Sequence, residues 1–313
     1  RLSALRWPAW TPLVVALVLA AILWHPNLPY EEHHYGYWLG PVNDQIAGKQ
    51  WLVEMNSQYG LLSHLSLVGI FALTGGVSYE TFSLINQISF LLYFVGLYVL
   101  LRWWLRSEVV AALGLGLLMA GTYWLMISPT ITAYDYPGLV PLRFGLYVPA
   151  ALLWLSYAQR GGRDRRGRLA REVCLVVAGL APLWNTDSGV YLAAAVGAVV
   201  AVDAVAWGEG SVPRRLLVAT AHLARLVGYG IAGVLAISGG VRLTSGAWPN
   251  WSAVLAEVAT YTGGRALNPL PLVGPFLLFV VGYLAAGLWV VRRTLRGAAD
   301  ADSVAGYRDA GTV

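Results

Sequence analysis

Long apolar runs follow one another along nearly the whole chain, separated by short polar turns. Most have about the length that a helix needs to cross the hydrocarbon core of a bilayer, roughly 20 residues. The runs lie at about residues 9–25, 80–101, 109–128, 142–158, 172–186, 188–206, 215–239 and 270–291. We therefore predict an all-α polytopic membrane protein with about eight transmembrane helices in a single domain, residues 1–313.

The composition supports a membrane protein. Hydrophobic residues make up 58% of the chain and charged residues 12%, whereas soluble domains average about 45–50% and 25%. The single cysteine, Cys174, allows no disulfide within the chain, and no Cys/His zinc pattern is present. The net charge of +5 comes from arginines at the ends of apolar runs. This placement indicates membrane topology and lipid contact rather than nucleic-acid binding.

The arginines also predict the orientation. A shorter run, residues 61–76, either crosses the membrane or lies along its outer face. If it lies along the outer face, 17 of the 21 Lys and Arg residues fall on the cytoplasmic side, as the positive-inside rule requires. We therefore expect both termini in the cytoplasm, a first outer loop over residues 25–79 with a juxtamembrane helix, and a cytoplasmic tail over residues 292–313. The first run has no small-residue cleavage site after it, so we expect a retained anchor.

A polar, aromatic segment directly follows the first apolar run. It contains Glu31, Glu32, His33 and His34. Adjacent carboxylates and imidazoles at a membrane boundary indicate chemistry in a chain with so few charges. The two histidines could complete a divalent-metal site with the glutamates, for Mg²⁺ or Mn²⁺. The alternative is that they lie at the interface without binding metal.

The first outer loop resembles that of the GT-C superfamily of polytopic glycosyltransferases. The resemblance rests on the acidic pair, on Asn43-Asp44-Gln45-Ile46-Ala47-Gly48-Lys49, and on Ser57-Gln58-Tyr59-Gly60-Leu61-Leu62. It covers about residues 10–105 and is only architectural beyond them. It implies transfer of a sugar from a polyprenyl-phosphate donor to a glycan, lipid or protein acceptor at the outer face, with Glu31 or Glu32 as the essential acid. The Ala, Val, Gly and Arg bias, with one Lys, favours a bacterial inner membrane.

Chemical reasoning gives the same minimal site. Inverting transfer needs a carboxylate to take the proton of the acceptor hydroxyl, and a cation to stabilise the departing phosphate. Glu31 and Glu32 are the candidate bases. Arg143, at the outer start of a helix, is the first candidate for the phosphate clamp, and Lys49 is the second.

Several further polar residues are expected on the outer side. Asp187 either faces the site or caps the next helix. Asp135 lies in a segment broken by Pro and Gly, which could form a wall of the lipid groove. The substrate-binding residues that we predict are Arg143, Lys49, Asp44, Gln58, Tyr59, Asp135 and Asp187.

Two other functions fit the composition. One is a transporter or flippase for lipid-linked sugar, although such proteins place ionisable groups in mid-membrane, where this chain has few. The other is a non-catalytic scaffold subunit of an envelope-assembly complex. The scaffold alone predicts no effect of changing Glu31 or Glu32.

Overall fold

The computed structural model of the chain is built almost entirely of helices. It describes residues 10–24, 32–57, 59–124, 126–128, 131–132, 138, 140–160, 164–208, 210–262, 281 and 288. The helices are α1 (Thr11–Leu23), α2 (Glu32–Ile46), α3 (Leu61–Thr74), α4 (Tyr79–Leu105), α5 (Glu108–Trp124), α6 (Pro141–Phe144), α7 (Tyr147–Arg160), α8 (Arg165–Trp184), α9 (Thr186–Trp207), α10 (Val212–Ser245) and α11 (Trp251–Thr262). A short antiparallel pair, β1 (Met126–Ser128) and β2 (Ile131–Thr132), follows α5.

Three of the described helices, α4, α9 and α10, are long and apolar enough to cross a membrane. They indicate a membrane protein. Helices α1 and α5, with 13 and 17 residues, are shorter apolar helices, and the predicted span at residues 270–291 lies almost wholly outside the described residues. The structure thus supports helical spans but does not confirm the count of about eight.

One helix was not predicted, and one predicted span was too long. From Glu32 the polar, aromatic segment of the first outer loop forms helix α2, and the predicted span at residues 109–128 ends as a helix at Trp124. Helix α2 forms because Tyr35, Trp38 and Val42 recur on one face and are almost completely buried. That burial outweighs the low helix propensity of Gly36, Gly40 and Pro41.

Three buried clusters hold the helices together. The first joins the five helices from α1 through α5 and includes Phe71 of α3 and Phe94 of α4. The second joins α7, α8, α9 and α10 around Leu175. Helix α7 belongs to both, because Val148 lies in the first cluster and Ala150 in the second. The third cluster joins the segment after α2 to α3, α8 and α10.

Helices α8 and α10 approach each other closely through glycine. A Cβ on Gly179 of α8 would lie 2.5 Å from the carbonyl oxygen of Leu226 in α10, and one on Gly230 would lie 3.0 Å from the Gly179 oxygen. Small residues of this kind allow helix backbones to pack tightly in membranes, where dispersion contacts replace the hydrophobic effect as the driving force.

Helix α3 packs against α2. At the start of α3, the His64 Nε2–H donates to Gln45 Oε1 of α2 at 2.6 Å. Beyond its end, Tyr79 of α4 contacts Tyr35 near the start of α2, with ring centroids 5.6 Å apart. The chain thus enters and leaves α3 beside the same helix, and the first turn of α4 lies near the first turn of α2.

Candidate functional site

The turn between α2 and α3 is the centre of the candidate site. Gly60 has φ +111° and ψ 161°, a conformation almost confined to glycine. A Cβ on Gly60 would lie 1.9 Å from the carbonyl oxygen of Trp184, at the end of α8. The Tyr59 carbonyl accepts a hydrogen bond from Asn185 Nδ2 at 3.0 Å. This turn is therefore fixed directly against the junction of α8 and α9.

Asn185 is the only residue between α8 and α9, and it is buried. Its Oδ1 accepts bonds from the Ser188 N–H at 3.2 Å and from Ser188 Oγ at 2.9 Å, so it caps α9 while its amide holds Tyr59. The indole N–H of Trp184 donates to the Leu142 carbonyl of α6 at 2.7 Å. The junction thus positions both the Tyr59 turn and α6.

Arg143, on the short helix α6, brings three of the predicted residues together. Its guanidinium lies 4.5 Å from the centroid of the Tyr59 ring and 4.8 Å from that of Phe144. Its Nη2 forms a 2.5 Å ion pair with Asp187 Oδ2. Its Nη1 donates to the Gly138 carbonyl at 2.9 Å, whereas Nε is buried without a hydrogen-bond partner among the described residues.

The two charges differ in exposure. The Arg143 side chain is 18% exposed and that of Asp187 is 54% exposed. The aromatic rings of Tyr59 and Phe144 thus remove the guanidinium from water, which strengthens its attraction for an anion. Solvent reaches the carboxylate, so an incoming anion can compete with Asp187 for the arginine. Such an arrangement can bind a phosphate through charge-assisted hydrogen bonds.

Aromatic side chains of α2 also contact the Tyr59 ring. The Trp38 and Tyr37 ring centroids lie 4.9 and 5.8 Å from that of Tyr59, and His34 stacks on it at 6.4 Å. Glu32 and His33 belong to the first turn of the same helix. The start of α2 therefore lies beside the Tyr59–Arg143 contact.

Asp44 and Lys49 lie elsewhere. They form a 2.9 Å ion pair with each other at the end of α2. Ten helical residues separate Asp44 from His34, or about 15 Å along the axis. Lys49 therefore does not join Arg143 in one clamp; it lines a separate cavity of about 580 Å³.

Three of the predicted site residues, Glu31, Gln58 and Asp135, lie outside the described residues. Only the helical backbone positions of Glu32 and His33 are described. Within the described part of the chain, no group of three or more His, Cys, Asp and Glu residues could hold a metal ion. The possible Mg²⁺ or Mn²⁺ site at His33 and His34 remains a prediction.

The sequence reasoning did not assign roles to Asn185, Trp184 and Phe144. The Asn-Thr-Asp-Ser run was a signal for a helix cap, and Asn185 does cap α9. Its second bond, to Tyr59, has no sequence signal because 126 residues separate the partners.

Comparison with known proteins returns no matching family model, no matching curated protein and no matching solved structure.

Proposed function

We propose that the chain is a membrane glycosyltransferase of the GT-C kind, which transfers a sugar from a polyprenyl-phosphate donor to an acceptor on the outer face of a bacterial inner membrane. The observation that carries the proposal is the contact of Arg143 with Tyr59 and Asp187 beside the start of α2. These residues come from three separate parts of the chain, and Arg143 is the cation that the departing phosphate needs.

In the proposed reaction, the acceptor hydroxyl oxygen attacks the anomeric carbon while the bond from that carbon to the phosphate oxygen breaks. Glu31 or Glu32 takes the hydroxyl proton, and the electron pair of the broken bond leaves with the phosphate. Arg143 stabilises the charge on the phosphate. Asp187 holds the guanidinium in place until the phosphate binds, and Tyr59 supports it from one face.

The proposed topology has about eight spans, cytoplasmic termini and α2 and α3 at the outer surface. One feature of the described residues supports it. The end of the bundle opposite the Tyr59 turn carries the arginines at the end of α7 and the starts of α8 and α10, including Arg160, Arg165 and Arg214, as the positive-inside rule requires for a cytoplasmic end.

A transfer assay tests the proposal. Membranes that contain the wild-type chain or a variant are supplied with a radiolabelled polyprenyl-phosphate sugar, and glycoside product is counted. We expect Arg143→Ala to reduce transfer by at least about a hundredfold, the usual effect of removing one transition-state charge partner. Glu31→Gln or Glu32→Gln should have an effect of similar size. Arg143→Lys should recover only part of the activity, because an ammonium cannot make the planar contacts of a guanidinium.

Arg242→Ala is the matched control. Arg242 is an arginine at the same end of the bundle, and its described ring contact is with Trp248 at 5.8 Å, away from Tyr59. Its loss should leave transfer near the wild-type rate. Full activity in all the Glu31, Glu32 and Arg143 variants would refute the site. Movement of labelled solute across the membrane without glycoside formation would instead support a transporter.

A further inference from the structure

A second site is formed at the other end of α2. The cavity of about 580 Å³ lies between the end of α2, the turn that follows it and the last three turns of α10, with Leu65 of α3 in its wall. Its volume is within the range of small-molecule sites, about 300–1,000 Å³. The third buried cluster, which includes Leu61, Leu183 and Val241, connects this region to the start of α3 and the end of α8. The cavity and the Arg143 site therefore lie at the same end of the bundle.

One wall of the cavity is apolar and concave. Ala236 and Gly240 lie one turn apart on α10 and make a furrow, which Ile237 and Val241 flank. A Cβ on Gly240 would meet no atom of the described chain within 4 Å. The furrow is thus open space, and its walls suit a hydrocarbon portion of a ligand.

The rim of the cavity is polar without a free charge. Among the described residues that line the cavity, Lys49 is the one cation, and it is paired with Asp44. Gln45 accepts from His64 through Oε1, which leaves its amide N–H groups as donors. The Thr244 and Ser245 hydroxyls donate to carbonyls of their own helix, at 3.0 and 2.8 Å. The Ser245 oxygen also accepts from the Ala247 N–H at 3.1 Å, so it keeps one lone pair as an acceptor and Thr244 keeps two.

Trp51 adds a donor. It lines the cavity and is 8% exposed, and it stacks on His64 with ring centroids 5.7 Å apart. Its indole N–H is buried and has no hydrogen-bond partner in the part of the chain that the structure describes. An unmade bond of this kind is a cost to the stability of the fold. An acceptor oxygen brought into the cavity would remove that cost.

We propose that this cavity binds a neutral, hydroxyl-bearing amphiphile: a ligand with a sugar-like head and an apolar tail. The neutral amides and hydroxyls of the rim match a polyol head, and the α10 furrow matches the tail. A phosphate head would have to displace Asp44 from Lys49, whose side chain is 55% exposed, so water screens its attraction for an anion far more than that of Arg143, which is 18% exposed. The role that we assign to this ligand, the acceptor of the sugar transfer, rests on the proposed function; its binding does not.

The test measures binding of octyl β-glucoside, below its micellar concentration, to the full chain in nanodiscs of zwitterionic lipid. Ligand-observed NMR follows the titration, and empty nanodiscs give the partition background. Glucose, octyl phosphate and octanol are titrated in parallel. We expect octyl β-glucoside to bind at least about tenfold more tightly than each of the three, a difference of about 1.4 kcal/mol.

Gly240→Leu fills the furrow and should weaken octyl β-glucoside at least about tenfold, again about 1.4 kcal/mol. Gly239→Leu is the matched control: it is the adjacent residue of the same helix, it does not line the cavity, and a Cβ there also meets nothing of the described chain within 4 Å. It should leave binding unchanged. Trp51→Phe keeps the ring but removes the N–H, and should weaken binding about threefold to tenfold.

Octyl phosphate binding as tightly as the glucoside would overturn the neutral head, and octanol binding as tightly would overturn any head-group recognition. Equal affinities of the Gly240→Leu and Gly239→Leu variants would overturn the location. If sugar transfer fails while glucoside binding responds as expected, the proposed function falls and the binding site stands. If transfer succeeds and binding is insensitive to Gly240, only this inference falls.

Discussion

Gly60→Ala should destabilise the protein strongly, because the added Cβ both strains the backbone and clashes with a neighbouring helix end. The first is backbone strain: Gly60 has φ +111° and ψ 161°, a region that costs a non-glycine residue about 1–3 kcal/mol. The second is the clash of the new Cβ with the Trp184 carbonyl oxygen at 1.9 Å. Relief of the clash moves the turn away from α8 and breaks the Asn185 to Tyr59 bond, worth about 0.5–1.5 kcal/mol. The sum is a loss of about 1.5–4.5 kcal/mol.

Gly75→Ala is the matched control for Gly60→Ala. Gly75 ends the same helix, α3, with φ +89° and ψ 14°, and a Cβ there meets no atom of the described chain within 4 Å. Gly75→Ala therefore has only the cost of placing an alanine in the left-handed backbone conformation, about 1–2 kcal/mol.

The free energy of unfolding is measured for both variants. Each protein is dissolved in a mild detergent and unfolded by titration with SDS. We expect Gly60→Ala to lose at least about 1 kcal/mol more than Gly75→Ala. Equal losses would refute the close contact of the Tyr59 turn with the α8–α9 junction.

Other changes probe separate parts of the molecule. Gly179→Val should lower the free energy of unfolding by about 1–3 kcal/mol, because the new side chain pushes α8 away from α10. Gly228→Val is the control, since no atom of the described residues lies near its Cβ position. It should cost less than half as much in the same SDS titration. Asn185→Ala removes a buried cap and the bond to Tyr59 and should cost about 2–4 kcal/mol. Asn250→Ala removes an exposed cap whose side chain donates to no other helix among the described residues, and should cost only about 1 kcal/mol; equal losses would contradict the double role of Asn185. Burial lowers the pKa of His64 from 6.5 to about 4, so its contribution to stability is complete above pH 6.5 and is lost as the pH falls towards 4, about 3 kcal/mol in all. A pH series of unfolding free energies should show this slope in the wild type and a shallower one in His64→Gln, and identical slopes would contradict a neutral buried imidazole.

The class of the fold follows from properties that are local in the sequence. Apolar runs and arginine placement predict helices and their ends, and α4, α9 and α10 meet that expectation. Helix α2 was not predicted over residues 32–46, where Gly36, Gly40 and Pro41 have low helix propensity. The i, i+3, i+7 pattern of Tyr35, Trp38 and Val42 was present in the sequence and predicts a helix with one buried face.

For the candidate site, the sequence predicted which polar residues belong to the outer side of the membrane, but not which of them contact each other. The arginine at a helix start and the acid at a helix start were recognisable, but their pairing across 44 residues was not. It depends on the docking of α6 between the Tyr59 turn and Trp184, which is a property of tertiary packing. Lys49 was predicted on the same outer side of the membrane as Arg143 and as a second phosphate-binding residue. In the structure it lies at the end of α2, whereas Arg143 lies near the start of that helix.

The one-residue junction between α8 and α9 also has a consequence for how the protein is made. With Asn185 alone between helices of 20 and 22 residues, α8 and α9 form one hairpin, with no connecting segment to adjust afterwards. Tyr59 and Arg143 are synthesised earlier, so the arginine has no Asp187 to pair with until the hairpin arrives. Biogenesis thus completes the site in a single late step, and an insertion beside Asn185 would prevent that step while each helix could still form.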